Sequence, residues 1–178
     1  SFGNNTRGQL GTADVNGSQH PTPVLMRGVG GNGTLGGVVD IAAGAAHTML
    51  LLGNKTMWIV GDNTEKQLGV DTTKDGNTYT ATIVDLPVDA NSSTGDKVEA
   101  AALSAGPYNS AFMTADGRAF VWGNNQYYQV LNDAAGEKVS LVSQINIPNE
   151  TSGIVDLQFG GSRSAQTQIG RASCRERV

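Results

Sequence analysis

Two short motifs recur along this chain in step with one another, and that recurrence limits what the chain can fold into. The first motif has three copies: Phe2-Gly-Asn-Asn-Thr-Arg-Gly-Gln-Leu-Gly11, Val60-Gly-Asp-Asn-Thr-Glu-Lys-Gln-Leu-Gly69 and Val121-Trp-Gly-Asn-Asn-Gln-Tyr-Tyr-Gln-Val130. Its glycines Gly3, Gly61 and Gly123 recur at nearly equal intervals, with Gln9, Gln67 and Gln129 at one fixed offset from them. The second motif falls between the copies of the first. Val39-Asp-Ile-Ala-Ala-Gly-Ala-Ala-His-Thr48 is matched by Val98 to Ser110, and more weakly by Ile154 to Ser164. Gly44 and Gly106 keep the same interval as Gly61 and Gly123, and Gly160 takes that place in the third copy. Two motifs sharing one period mark a repeat architecture in which each unit buries its apolar face against the next.

Each unit reads as a β-hairpin. His47 to Leu52 predicts a strand, Gly53-Asn54-Lys55 a turn, and Met57 to Val60 the returning strand. Ser110 to Met113 and Ala119 to Trp122 repeat the pattern around Ala115-Asp116-Gly117, where Asp-Gly supplies the positive φ of a tight turn. With 24 glycines and 16% charged residues, no long segment carries a helical apolar stripe. The most apolar stretch, Val38 to Leu52, contains Asp40 and His47, which excludes a membrane span.

These residues resemble the regulator of chromosome condensation repeat family. The resemblance covers residues 1–167 and rests on Trp-Gly-Asn-Asn, Gly-Gln-Leu-Gly, Pro21-Thr-Pro-Val24 and Ile41-Ala-Ala-Gly-Ala-Ala-His-Thr48. It implies an all-β chain: about three four-stranded antiparallel blades, an arc of a seven-bladed propeller whose remaining ring comes from missing sequence. The alanine- and glycine-rich runs at 42–46 and 100–106 suit the crowded inner strands. Gly3, Gly61, Gly123, Gln9, Gln67, Gln129, Gly44, Gly106, Gly160, His47, Trp58 and Trp122 are the expected structural repeat positions. Lys66 and Tyr128 stand where the first copy has Gly8, so those loops are expected to take another shape there if Gly8 uses positive φ.

Residues 168–178 break from this pattern and resemble translated sequencing-adapter sequence, so they are set aside as a non-native tail. The tail holds three arginines and one glutamate, so removing its +2 takes the formal charge from −4 to −6. It also removes Cys174, the only thiol. An acidic body argues against nucleic-acid binding, which depends on Lys and Arg neutralising phosphates. Both ends read as truncated. Low lysine content beside abundant Thr, Asn and Gly points to a bacterial extracellular or cell-surface protein.

No catalytic constellation stands out, and no cofactor or metal site is expected. Gly28-Val-Gly-Gly-Asn-Gly33 has the spacing of a phosphate loop, but prolines precede it and no helix pattern follows, so it reads as an inter-strand loop. His47 is expected to bond the neighbouring turn, and His20 has no carboxylate partner evident in sequence. Asp14 to Gly17 and Asp71 to Asn77 read as solvated turns without the alternation of a calcium loop. Asn4, Asn16, Asn32, Asn54, Asn91 and Asn149 each begin an Asn-x-Ser/Thr sequon, a density that the composition largely supplies. The expected binding surface is the loop Asn124, Asn125, Gln126, Tyr127 and Tyr128, where aromatics sit among adaptable polar groups. The expected function is a non-enzymatic protein-binding scaffold with an unidentified protein partner. The alternatives are guanine-nucleotide exchange on a small GTPase, which the resemblance implies, and inhibition of an enzyme such as a β-lactamase.

Overall fold

A computed structural model describes residues 1–70, 76–126, 130, 138–145, 153–154, 156–159 and 169–170. Two complete antiparallel four-stranded sheets dominate it. The first comprises β1 (Val38–Ala43), β2 (His47–Leu52), β3 (Met57–Gly61) and β4 (Thr78–Ile83), paired in chain order. The second repeats this with β5 (Ala102–Ala105), β6 (Asn109–Met113), β7 (Ala119–Asn124) and β8 (Lys138–Gln144). A short third pair joins β9 (Gln158–Phe159) to β10 (Ile169–Gly170). Thus two repeats close into full blades among the described residues, whereas the third copy contributes β9, whose partner β10 falls in the 168–178 segment that the sequence set apart from the repeats. The segment before β1 holds isolated bridges, Gly3 to His20 and Arg27 to Thr34, and a 3-10 turn at Val29–Gly31. That turn falls inside the Gly28–Gly33 segment and makes it the tip of a loop, with neither the preceding strand nor the following helix of a phosphate site.

The meander follows from sequence. Alternating β-branched and apolar residues form strands, and Gly117 at φ +85° makes the β6–β7 turn. In the β2–β3 turn the left-handed residue is Lys55, at φ 68°. Inner strands pack on inner strands, with β1 touching β5 and β5 touching β9. Small residues are needed there, as a Cβ on Gly44 would lie 2.5 Å from the Gly106 carbonyl oxygen and one on Gly106 would lie 2.9 Å from Phe159 Cβ. Both are closer than side chains pack.

The core lies between the two sheets. Met49, Met57 and Ile59 of the first blade meet Phe112, Phe120 and Trp122 of the second, all fully or almost fully buried. Phe112 and Phe120 stack with ring centroids 4.7 Å apart, and Trp122 meets Phe112 edge-on at 6.3 Å. The two tryptophans are not the same repeat position. The β2–β3 register pairs Trp58 with Leu50, and β6–β7 pairs Phe120 with Phe112, so Trp58 corresponds to Phe120 and Trp122 to Val60. Trp58 is only half-buried and donates its indole N–H to the Thr56 hydroxyl at 2.9 Å. On the far side of β1, Val39 and Ile41 are exposed at 65% and 60%. They form a blade face of the kind that propellers cover with a neighbouring blade.

Candidate protein-binding face

Strand direction sorts the connections onto two faces. The β1–β2 and β3–β4 connections, with their counterparts in the second blade, share one face, the loop face. The β2–β3 turns and the inter-repeat connections share the opposite face.

The first motif builds the loop face. Gly3, Gly61 and Gly123 take nearly one conformation, φ +106°, +118° and +110°. A Cβ on Gly61 would lie 2.4 Å from the Ala46 carbonyl oxygen, and one on Gly123 would lie 2.4 Å from that of Tyr108. The chain then turns through one repeated set of side-chain bonds. The amide oxygens of Asn5, Asn63 and Asn125 accept from the backbone N–H of Leu10, Leu68 and Val130 at 2.9, 3.0 and 3.0 Å. Asn4, Asp62 and Asn124 accept from the N–H two residues on, in Thr6, Thr64 and Gln126. Gln9 and Gln67 reach back to the N–H of Arg7 and Glu65 at 2.9 and 2.8 Å. Polar groups are thereby satisfied even where they are buried.

Lys66 corrects one expectation. It keeps φ 64° where Gly8 has φ 81°, and the Lys66 N–H bonds the Asn63 carbonyl at 3.1 Å as Gly8 bonds that of Asn5 at 2.9 Å. Repeated side-chain bonds hold the turn, so a lysine is carried into the left-handed region instead of reshaping the loop. Gly8 itself is constrained by packing, because a Cβ there would lie 2.2 Å from the Thr78 carbonyl oxygen.

Each loop also locks onto the next blade. The Gln9 carbonyl accepts from the Thr48 hydroxyl at 2.9 Å. The Gln67 carbonyl accepts from the Ser110 hydroxyl at 2.6 Å and from the Trp122 indole at 2.8 Å. His47 Nε2 lies 2.9 Å from Ser110 Oγ. Since Ser110 gives its proton to Gln67, the imidazole donates from Nε2, and its buried Nδ1 has no partner. Burial pushes the His47 imidazole down to about 4, with the Asp62 carboxylate opposing the shift. The partner of His47 is thus Ser110 of the adjacent repeat.

The expected binding loop divides. Asn125 is fully buried, and its amide oxygen holds the turn as part of the loop's frame. Asn124 is half-buried and donates to Glu65 Oε2 at 2.8 Å, tying two loops together. Gln126 is exposed. Tyr127, Tyr128, Gln129 and Gly160 lie outside the described residues. Sequence reasoning did not find Arg7, exposed in the first loop, or Lys138 of β8, which bonds the Thr64 carbonyl and lies 3.6 Å from Glu65. The repeated offset after Gly3, Gly61 and Gly123 could have pointed to Arg7.

His20 has a carboxylate neighbour after all. The Gly3–His20 bridge brings its Nε2 to 3.9 Å from Asp14 Oδ2. Asp14 is held below the usual carboxylate range by the Ser18 side chain and by the backbone N–H groups of Asn16 and Ser18. No group of three His, Cys, Asp or Glu residues suited to a metal occurs among the described residues. On the opposite face a cleft of about 500 Å³ is lined by Asp89, Asp96, Thr114, Asp116 and Arg118. Within it Arg118 grips Asp89 with two bonds of 2.9 and 2.8 Å and Asp116 with a third of 2.9 Å. No helix among the described residues is long and apolar enough to cross a membrane.

Four-stranded blades that recur with the motif period, interlocked by loop carbonyls and presenting framed loops on one face, define a segment of a repeat β-propeller. Two family models, both described as the Regulator of chromosome condensation (RCC1) repeat, match the chain, one at residues 1–51 and the other at 38–67 and 100–129. The chain belongs to the regulator of chromosome condensation repeat family. It is 36% identical over 86 residues to the Regulator of chromosome condensation of Drosophila melanogaster, covering 48% of this chain and 14% of that protein. It is 32% identical over 130 residues to the human X-linked retinitis pigmentosa GTPase regulator, covering 72% of this chain and 11% of that protein. The crystal structure of human WBSCR16 superposes with a TM-score of 0.69 at 22% identity, covering 90% of this chain and 37% of that one. This chain therefore spans a small part of the length of these relatives.

Proposed function

We propose that this chain is part of a non-enzymatic propeller that binds a protein partner through its loop face. The observation that carries the reading is the division of labour within each loop. Asn5, Asn63, Asn125, Gln9 and Gln67 are spent on holding the turns. Among the described intervening positions, Thr6, Arg7 and Gln126 are exposed, and Arg7 is replaced by half-buried Glu65 in the second copy. A rigid frame with variable outward residues lowers the ordering cost of binding. The test places a photo-crosslinking residue at Arg7, at Gln126 and, on the opposite face, at Ala90. Crosslinks to one defined protein from Arg7 and Gln126 but not Ala90 support the reading. Equal labelling from all three defeats it.

A second reading is action on a small GTPase. It is favoured by the relative named a GTPase regulator, with which 130 residues align at 32% identity. The readout is release of a fluorescent guanine nucleotide from a panel of small GTPases, using the complete protein. Acceleration on one member would select this reading over a passive scaffold.

A further inference from the structure

We propose that Asn32, Asn54 and Asn91 are acceptors for N-linked oligosaccharide, which makes the face opposite the loops a sugar-bearing surface. The proposal is independent of the protein-binding reading. Composition alone would scatter sequons without regard to burial, and the fold shows the opposite. Among the described residues, the exposed asparagines are Asn4, Asn16, Asn32, Asn54 and Asn91, and every one begins a sequon. Asn5, Asn63, Asn77, Asn109, Asn124 and Asn125 are buried or half-buried, and none begins one. The side chains that build the frame and those that could accept sugar are separate sets.

Turn chemistry does not account for the pattern. An asparagine oxygen often accepts the N–H two residues on, which favours Thr or Ser there. Asn4 and Asn54 do this, with Thr6 and Thr56 at 2.8 and 3.1 Å. Asn16, Asn32 and Asn91 show no such bond.

Placement adds a second argument. Asn32 lies within the segment closed by the Arg27–Thr34 bridge, and Asn91 within the corresponding segment closed by Val88–Lys97. They precede β1 and β5 respectively, so they lie in corresponding segments on one face of successive repeats. The sequons at Asn32, Asn91 and Asn149 recur at close to the repeat interval, although Asn149 lies outside the described residues. Asn54 stands on the same face in the β2–β3 turn, where the Thr56 hydroxyl donates to its Oδ1 at 2.7 Å and leaves Nδ2 unengaged. Asn4 and Asn16 are on the loop face, since Gly17 packs against Thr6.

The chemistry is glycosyl transfer from a lipid-linked diphosphate sugar. The Asn Nδ2 forms a bond to the sugar anomeric carbon as that carbon's bond to the diphosphate oxygen breaks. The nitrogen gives up one proton, and the lipid diphosphate leaves with the electron pair. This chain supplies only the acceptor amide, and the transferase is a separate enzyme. The proposal requires a secretory route that glycosylates Asn-x-Ser/Thr, as in eukaryotes. It keeps the extracellular destination expected from composition and replaces the bacterial source.

The test isolates the natural protein from the cells that make it and treats it with peptide N-glycosidase in heavy-oxygen water. Peptide mass spectrometry then reads each asparagine. The expected result is conversion of Asn32, Asn54 and Asn91 to heavy-oxygen aspartate. In a secretory cell line, the chain behind a cleavable signal should run faster by one gel step for each of N32Q, N54Q and N91Q. Unmodified Asn32, Asn54 and Asn91 in the natural protein would overturn the proposal, as would modification confined to Asn4 and Asn16. A secreted chain carrying no sugar would overturn it as well.

Discussion

The indole N–H of Trp122 donates to the backbone carbonyl of Gln67 at 2.8 Å, across the boundary between two repeats. Gly69, two residues beyond Gln67, makes room for the ring, because a Cβ there would lie 2.5 Å from Trp122 Nε1. One side chain therefore fills the inter-blade core and pins the loop of the preceding repeat. Trp122→Ala should cost about 3–5 kcal/mol. Trp122→Phe keeps much of the packing and should cost roughly 1–2 kcal/mol, since Ser110 still bonds Gln67. Urea denaturation of the three proteins reads the order.

Ser110 and Thr48 occupy one repeat position with unequal burdens. Thr48 satisfies only Gln9, whereas Ser110 serves both Gln67 and His47. Ser110→Ala strands a buried imidazole N–H and should cost about 2–3 kcal/mol, against roughly 1 kcal/mol for Thr48→Val. Equal losses in denaturant midpoint would contradict the shared bond.

His47 gives the fold an acid limb. Its folded-state value of about 4 lies below the ordinary 6.5. Between those values the unfolded chain holds a proton that the folded chain refuses. Stability should therefore fall as pH drops from about 6.5 to about 4, by about 3 kcal/mol at most, and this contribution should be level below that. The second repeat has Asn109 at this position. His47→Asn should flatten the slope in that window, as measured by thermal midpoints across pH.

Gly44 is needed for close approach and Gly36 is not. A Cβ on Gly44 would also lie 2.2 Å from the His47 ring, whereas one on Gly36 meets nothing within 4 Å. Gly44→Ala should cost more than about 2 kcal/mol, and Gly36→Ala should stay within about 0.5 kcal/mol. Calorimetry of the two variants makes the comparison.

Lys66 sits in a left-handed conformation that the first repeat gives to glycine. Lys66→Gly relieves that backbone cost and loosens the unfolded chain, so a net gain of up to about 1 kcal/mol is expected. A loss in denaturant midpoint would show that the lysine side chain contributes more than the strain it carries.

The sequence by itself determined the repeat, the hairpins and the small inner-strand residues, because a steady motif period, apolar runs and the Asp116-Gly117 turn are all written along the chain. His47 to Leu52 came out as a strand with the expected bounds, and the glycines at 3, 61 and 123 share one conformation. Only the tertiary structure decided which polar groups face inward. Asn125 looked like a surface residue and is buried, because its amide closes the turn onto Val130. His47 was expected to bond the neighbouring turn, and only the stacking of blades shows that its partner is Ser110 in the next repeat. Exposure likewise divided asparagines of one composition into frame and sequon. Partner choice for a side chain depends on how blades stack, and stacking is a long-range packing outcome that no local pattern records.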